Sequence, residues 1–193
     1  MASRTPHAKR VAVDDNGLSL TTVKIRAGLP NLRRRKSHLT IEECFRKARS
    51  RFGCRLVGFS IMSNHLHLLV HAPDAAALSR WMMGINIRVA KALNKIWGRK
   101  GKVFLDRFHS TFAKHWSNVR RLVNYALNNA RKHGLAIPKG EVDKFSSAAW
   151  YPHWTEGPQP KRPARECPVV SRVGVTLPRL PIDWRPGRPY GCS

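Results

Sequence analysis

Ser63-Asn64-His65-Leu66-His67-Leu68-Leu69-Val70 is the stretch on which the reading of the fold turns. Side chains on a strand alternate between its two faces. Leu66, Leu68 and Val70 therefore point into a core, and His65 and His67 share the opposite, polar face. Two imidazoles held rigidly on one strand face can ligate a divalent metal. An HxH dipeptide alone is weak evidence for that, because strand histidines commonly carry no ligand. The histidine-triad pattern of nucleotide hydrolases does not fit, since position 69 is leucine.

Upstream, Leu18 to Arg26 reads as a strand closed by Gly28-Leu29-Pro30. Arg33-Arg34-Arg35-Lys36 follows as a basic loop. Thr40-Ile41-Glu42-Glu43 reads as a capping box, opening a helix that buries Cys44, Phe45 and Ala48 and stops at Gly53. Arg55 to Ser60 and His65 to Ala72 are two strands joined by a turn around Met62-Ser63-Asn64.

Downstream, Asp74 is placed to cap a long helix. Its stripe is Ala77, Leu78, Trp81, Met82, Ile85, Val89, Leu93 and Ile96, spaced by threes and fours, and it ends at Gly98 and Gly101. Val103 to Lys114 reads as a strand, or a strand and turn, burying Val103, Leu105 and Phe112. Ser117 caps a last helix carrying Val119, Leu122, Val123, Ala126 and Leu127, with Gly134 as its C′ residue. The order is β-α-β-β-α-β-α. Its first six elements predict an α+β, ferredoxin-like antiparallel sheet with helices on one face. The expected domain is 18–156, between a flexible 1–17 and a tail, 157–193. That tail holds eight of the thirteen prolines and seven basic residues, a composition expected to be disordered.

The charge is the strongest bulk signal: 36 Lys+Arg against 11 Asp+Glu gives +25. Such a surplus calls for a polyanionic partner, DNA or RNA, whose phosphates relieve the self-repulsion. No apolar run approaches the roughly 20 residues needed to span a bilayer. Met1 to Arg10 lacks the apolar segment of a secretory signal. A cytoplasmic, nucleoid-associated protein is expected. Cys44, Cys54, Cys167 and Cys192 form no CxxC pair and read as reduced thiols.

Tyr125 and Asn129 lie four residues apart, hence on one face of the last helix, with Arg121 and Lys132 flanking them. Two imidazoles on a strand, with a tyrosine and an amide on a helix, supply metal ligands and a nucleophile together. Imidazole nitrogens and an amide oxygen suit Mg²⁺ or Mn²⁺. Between Ala75 and Arg121 there are eleven Lys/Arg and one acid, Asp106. Phe104, Phe108, His109 and Trp116 interleave with them and could stack on unpaired bases. The basic residues singled out as DNA contacts are Arg33, Arg34, Arg35, Lys36, Arg107, Lys114, Arg121 and Lys132.

Asn64-His65-Leu66-His67-Leu68-Leu69-Val70 and Tyr125-Ala126-Leu127-Asn128-Asn129, with Lys132-His133-Gly134, resemble the REP-associated tyrosine transposases. These are IS200-like single-tyrosine enzymes of the HUH nuclease class. Arg26-Ala27-Gly28-Leu29-Pro30, Val103-Phe104-Leu105-Asp106-Arg107 and Ser146-Ser147-Ala148-Ala149-Trp150 extend the resemblance over roughly Leu18 to Trp154. Ser63 replaces the family's usual proline before the histidines, and Asn129-Ala130 its common Asn-Pro. The resemblance implies Tyr125 as nucleophile and His65, His67 and Asn129 as metal ligands. It also implies single-stranded or hairpin DNA as substrate, cut and rejoined through a 5′-phosphotyrosine by a monomer or homodimer. Two other readings stay open on the residues alone: a DNA-binding protein that does not cut, and a structural RNA-binding protein.

Overall fold

The alternation along the histidine strand is borne out. The computed structural model describes residues 17–155, 160, 161, 163, 164, 167, 168 and 177–180. The rest of the expected flexible N-terminus and basic tail lies outside the described residues. Five strands, β1 (Leu18–Lys24), β2 (Ser50–Arg51), β3 (Cys54–Ile61), β4 (His65–His71) and β5 (His109–Phe112), form one sheet. Its order is β2-β3-β4-β1-β5, and every pairing is antiparallel. Helices α1 (Arg35–Ala48) and α2 (Ala75–Ile96) are the crossovers of a ferredoxin-like split βαβ.

α1 and α2 cover one face. Their Ile41, Phe45, Leu78, Trp81 and Met82 pack with Leu66, Leu68 and Val70 of β4 in the larger core. Asp74 caps α2 as expected, its carboxylate accepting from the Ala77 N–H at 2.6 Å. The seventh element, α3 (Trp116–Leu127), lies across the opposite face. There Val119, Val123, Ala126 and Leu127 meet Leu18, Leu20 and Leu69 in a second core, which Tyr151, Trp154, Leu177 and Leu180 complete. β4 is thus buried on both faces, and His65 and His67 are only 8% and 3% exposed. Their strand face is polar but roofed.

A register shift between Leu56 and Gly58 lets β3 serve both cores. Leu56 packs with the first, Val57 turns to the second, and the extra residue returns Phe59 and Ile61 to the first. Gly58 also admits a close neighbour. A Cβ there would stand 3.0 Å from Leu69 Cδ1 and 3.3 Å from Ser147 Oγ. That serine belongs to a 3₁₀ turn, Ser147–Trp150, and its hydroxyl accepts from the Phe59 N–H at 2.9 Å. Gly58→Ala is expected to lose about 1–3 kcal/mol of stability by overpacking, read as a lower urea midpoint.

Several sequence expectations are corrected. α1 begins at Arg35, so Thr40 and Glu43 lie inside it, and the Thr40 hydroxyl donates back to the Lys36 carbonyl at 2.8 Å. Its end is also earlier, at Ala48, leaving room for a β2–β3 hairpin over Phe52-Gly53. Both turn residues have positive φ, 54° and 72°, the backbone a two-residue hairpin demands. Over Val103–Lys114 it is the strand-and-turn reading that holds. Phe104 bridges Ile25, the Arg107 N–H donates to Asp106 in a turn, and pairing resumes only at His109. Leu105, expected inside, is 53% exposed. α3 starts at Trp116, with His115 in the N-cap position making no side-chain cap, so Ser117 lies inside the helix.

The last helix is jogged. Asn128, at φ −103° and ψ 12°, separates α3 from α4 (Asn129–Lys132), yet the Lys132 and His133 N–H groups still reach the Asn128 and Asn129 carbonyls. Gly134, at φ 72°, then ends the helix, its N–H donating to the Arg131 carbonyl at 3.0 Å.

Candidate active site

β4 and β1 build the floor of the site. In register, Thr22 stands opposite His67 and Lys24 opposite His65. Thr22 Oγ1 lies 2.8 Å from His67 Nδ1, and Asn64 Oδ1 lies 2.8 Å from His65 Nδ1. With each Nδ1 so engaged, the two Nε2 atoms turn toward each other, 3.0 Å apart. An amide oxygen only accepts, so His65 carries its proton on Nδ1 and offers an Nε2 lone pair. Without a cation, His67 Nε2–H donates to that lone pair. With the proton on His67 Nδ1 instead, facing Thr22, both Nε2 lone pairs converge on one point.

Both rings are held neutral. Burial pushes the His65 pKa down to about 4, aided by His133 and Lys24. Burial again leads for His67, down to about 3, with His65, His133 and Lys132 adding to it. Neutral imidazole is the form that binds a metal.

α3 and α4 form the roof. The Tyr125 ring stands edge-on to His67, centroids 5.3 Å apart at 89°. Lys132 Nζ lies 4.1 Å from the centre of the Tyr125 ring. His133 meets His65 at 5.5 Å. Asn129 sits between Tyr125 and His133 at steps of four. It is fully buried, and neither polar atom of its amide has a hydrogen-bond partner among the described residues. A buried amide left so costs about 1–3 kcal/mol. That orphaned amide and the two convergent imidazoles fit a divalent cation.

The cleft in front of these residues measures about 800 Å³ and is lined by Thr22, Lys24, Asn64, His65, His67, Tyr125 and His133 among others. The structure therefore brings His65, His67 and Tyr125 together in one cleft. Asn129 lines none of its open wall, being wholly inside. Sequence reasoning missed His133, Thr22 and Asn64 as site residues. For His133 the signal was present, because Tyr125, Asn129 and His133 recur at one interval.

The basic candidates divide. Arg33 lines the cleft, but its guanidinium is bidentate on Asp143, both contacts 2.8 Å, and donates to the Ile61 carbonyl. It ties the 31–34 turn to the segment after α4. Arg34, Arg35 and Lys36 are exposed at the start of α1, where no acid sits in the first turn. Arg107, Lys114 and Arg121 are exposed, and Lys132 lies over Tyr125.

The model of the family described as IS200-like transposase matches residues 21–128, more than half the chain. Among solved structures, a REP-associated tyrosine transposase bound to a REP hairpin aligns with a TM-score of 0.55 at 18% identity, over 68% of this chain and 76% of that one. A candidate transposase from Deinococcus radiodurans aligns at 0.44 and 9% identity, over 70% of this chain and 100% of its own. No curated protein matches the sequence. No helix among the described residues is long and apolar enough to cross a membrane. The first alignment carries the fold. With the family model spanning β1 to the end of the tyrosine helix, the chain belongs to the IS200-like transposases.

Proposed function

We propose that this transposase cleaves and rejoins single-stranded DNA by transesterification, with Tyr125 as nucleophile. The observation that carries this is the Tyr125 ring against His67 in the cleft that also holds His65. The phenolic oxygen attacks phosphorus, the bond to the 3′ oxygen breaks, and the leaving oxygen takes a proton to become a 3′-hydroxyl. The phenol's own proton passes to solvent. The product is a 5′-phosphotyrosine, whose retained ester energy lets a 3′-hydroxyl reverse the step without ATP.

His65, His67 and Asn129 would hold Mg²⁺ or Mn²⁺, which when bound supplies Lewis acidity to a phosphate oxygen. Asn64 and Thr22 fix which imidazole nitrogens face that ion. Lys132 meets negative charge as it develops between the phenolic oxygen and the phosphate. Arg34, Arg35, Lys36, Arg107, Lys114 and Arg121 would contact the DNA backbone, with Arg33 held back by Asp143. The hairpin bound to the similar solved structure supports a hairpin substrate.

Thr22→Val and Asn64→Ala are each expected to weaken metal binding about 10- to 100-fold, because each removes the group that orients an imidazole. Isothermal titration checks this, and Thr22→Ser should recover most of the loss. The function itself is tested with an end-labelled hairpin oligonucleotide bearing single-stranded flanks. Nicking is expected in the flank, with loss on chelation and recovery on adding Mn²⁺. Binding without any nick, at every metal tried, would leave a DNA-binding protein that does not cut.

A further inference from the structure

The geometry points to His133 as a further protein ligand of this metal, giving a site with three imidazoles that prefers Mn²⁺ and other nitrogen-binding divalent ions over Mg²⁺. This deepens the reading above and rests on its metal site. One ligand nitrogen from each of His65, His67 and His133 falls in a cluster no more than 4.8 Å across. Nitrogens bound at about 2.1 Å to one ion are about 3 Å apart when adjacent and at most about 4.2 Å when opposite. His65 and His67 are already at the adjacent spacing, 3.0 Å. His133 is exposed, which leaves its ring room to turn toward the pair.

The backbone presents that ring deliberately. His133 is the residue after α4, its N–H held by the Asn129 carbonyl at 3.1 Å. Gly134 follows in the left-handed region, and the Leu135 N–H returns to the Ala130 carbonyl at 3.0 Å. The chain reverses immediately beyond the ring and leaves it at the mouth of the cleft. Asn129 is wholly buried, whereas His133 stands exposed at the rim of the cleft.

Donor chemistry then sets the metal. Mg²⁺ demands oxygen ligands in near-ideal octahedra and keeps its water. Imidazole nitrogens favour first-row transition ions, with affinity rising from Mn²⁺ through Co²⁺. Three nitrogens and one amide oxygen, with no carboxylate in the cluster among the described residues, place this site among the latter.

The test uses the full chain loaded with Co²⁺, whose paramagnetism shifts the ring N–H proton of each coordinated histidine well clear of other NMR signals. Three such exchangeable signals are expected in the parent protein and two in His133→Ala. Titration should show Co²⁺ and Mn²⁺ affinities about tenfold or more lower in that variant. Equal affinity and an unchanged number of signals in His133→Ala would overturn the assignment while leaving the metal site standing. Retention of Co²⁺ by His65→Ala with His67→Ala, or no binding by the parent, would overturn both. Because His133 is exposed, circular dichroism should show the variant folded.

Discussion

Tyr125→Phe is expected to lose strand cleavage by about 10⁴-fold or more and to form no covalent DNA adduct. The substitution removes one oxygen and nothing else. Its ring keeps the edge-on contact with His67 at 5.3 Å and the Lys132 ammonium above it. Tyr125 is half-buried beside the second core rather than inside it, so stability should change by less than about 1 kcal/mol. Metal and hairpin binding should persist. A nucleophile's loss is felt in the chemical step alone, and losses of this order follow when the attacking group itself is deleted. Cleavage rates on a labelled oligonucleotide, beside affinity measured by anisotropy, separate the two effects.

His67→Ala should be the next most damaging change, with cleavage down about 10²- to 10³-fold and metal affinity reduced. It should also alter how stability depends on pH. In the folded chain His67 stays neutral to about pH 3 and His65 to about pH 4. Unfolded, both take up protons near pH 6.5. Below that pH the unfolded chain binds more protons, so stability is full above pH 6.5 and falls as pH drops toward 4. Each ring contributes about 1.4 kcal/mol per pH unit across that window. Urea midpoints at pH 7.5 and 5.0 should therefore diverge in the parent chain, and diverge less in His67→Ala. A bound cation widens the parent's difference, since protons and metal compete for the same lone pairs.

Much of this arrangement was legible because it is written in local pattern. The alternation in His65–Val70, the Asp74 cap and the α2 stripe each depend on neighbours within a few residues. All three appear as read. The start of α1 was misread because a threonine and a glutamate three apart look alike at a helix start and inside one. What sets that start is distant: the Leu32 N–H donates to the Ser63 carbonyl at 2.9 Å, fixing the turn before the helix.

The site was only half legible for the same reason. Two histidines on one strand face follow from period two, but their burial depends on α3 and α4, far along the chain, which bring Tyr125 and His133 against them. Without that roof, neither the lowered pKa values nor the orphaned Asn129 amide could be foreseen. The Asn128 jog was also hidden, since nothing local demands it. Spacing by fours across it still carried Tyr125 to His67 and His133 to His65. Arg33 shows the reverse failure, a plausible phosphate contact by composition that the fold commits to Asp143.

The central assignment is one oxygen on one residue, and it can be read directly. The full chain is incubated with Mn²⁺ and a hairpin oligonucleotide, denatured, digested with trypsin and nuclease, and the nucleotide-bearing peptide sequenced by mass spectrometry. A phosphotyrosyl linkage at Tyr125, on the tryptic segment ending at Arg131, is the expected outcome. A linkage at Tyr151, Tyr190 or any serine, or cleavage without a protein-linked product, would contradict it.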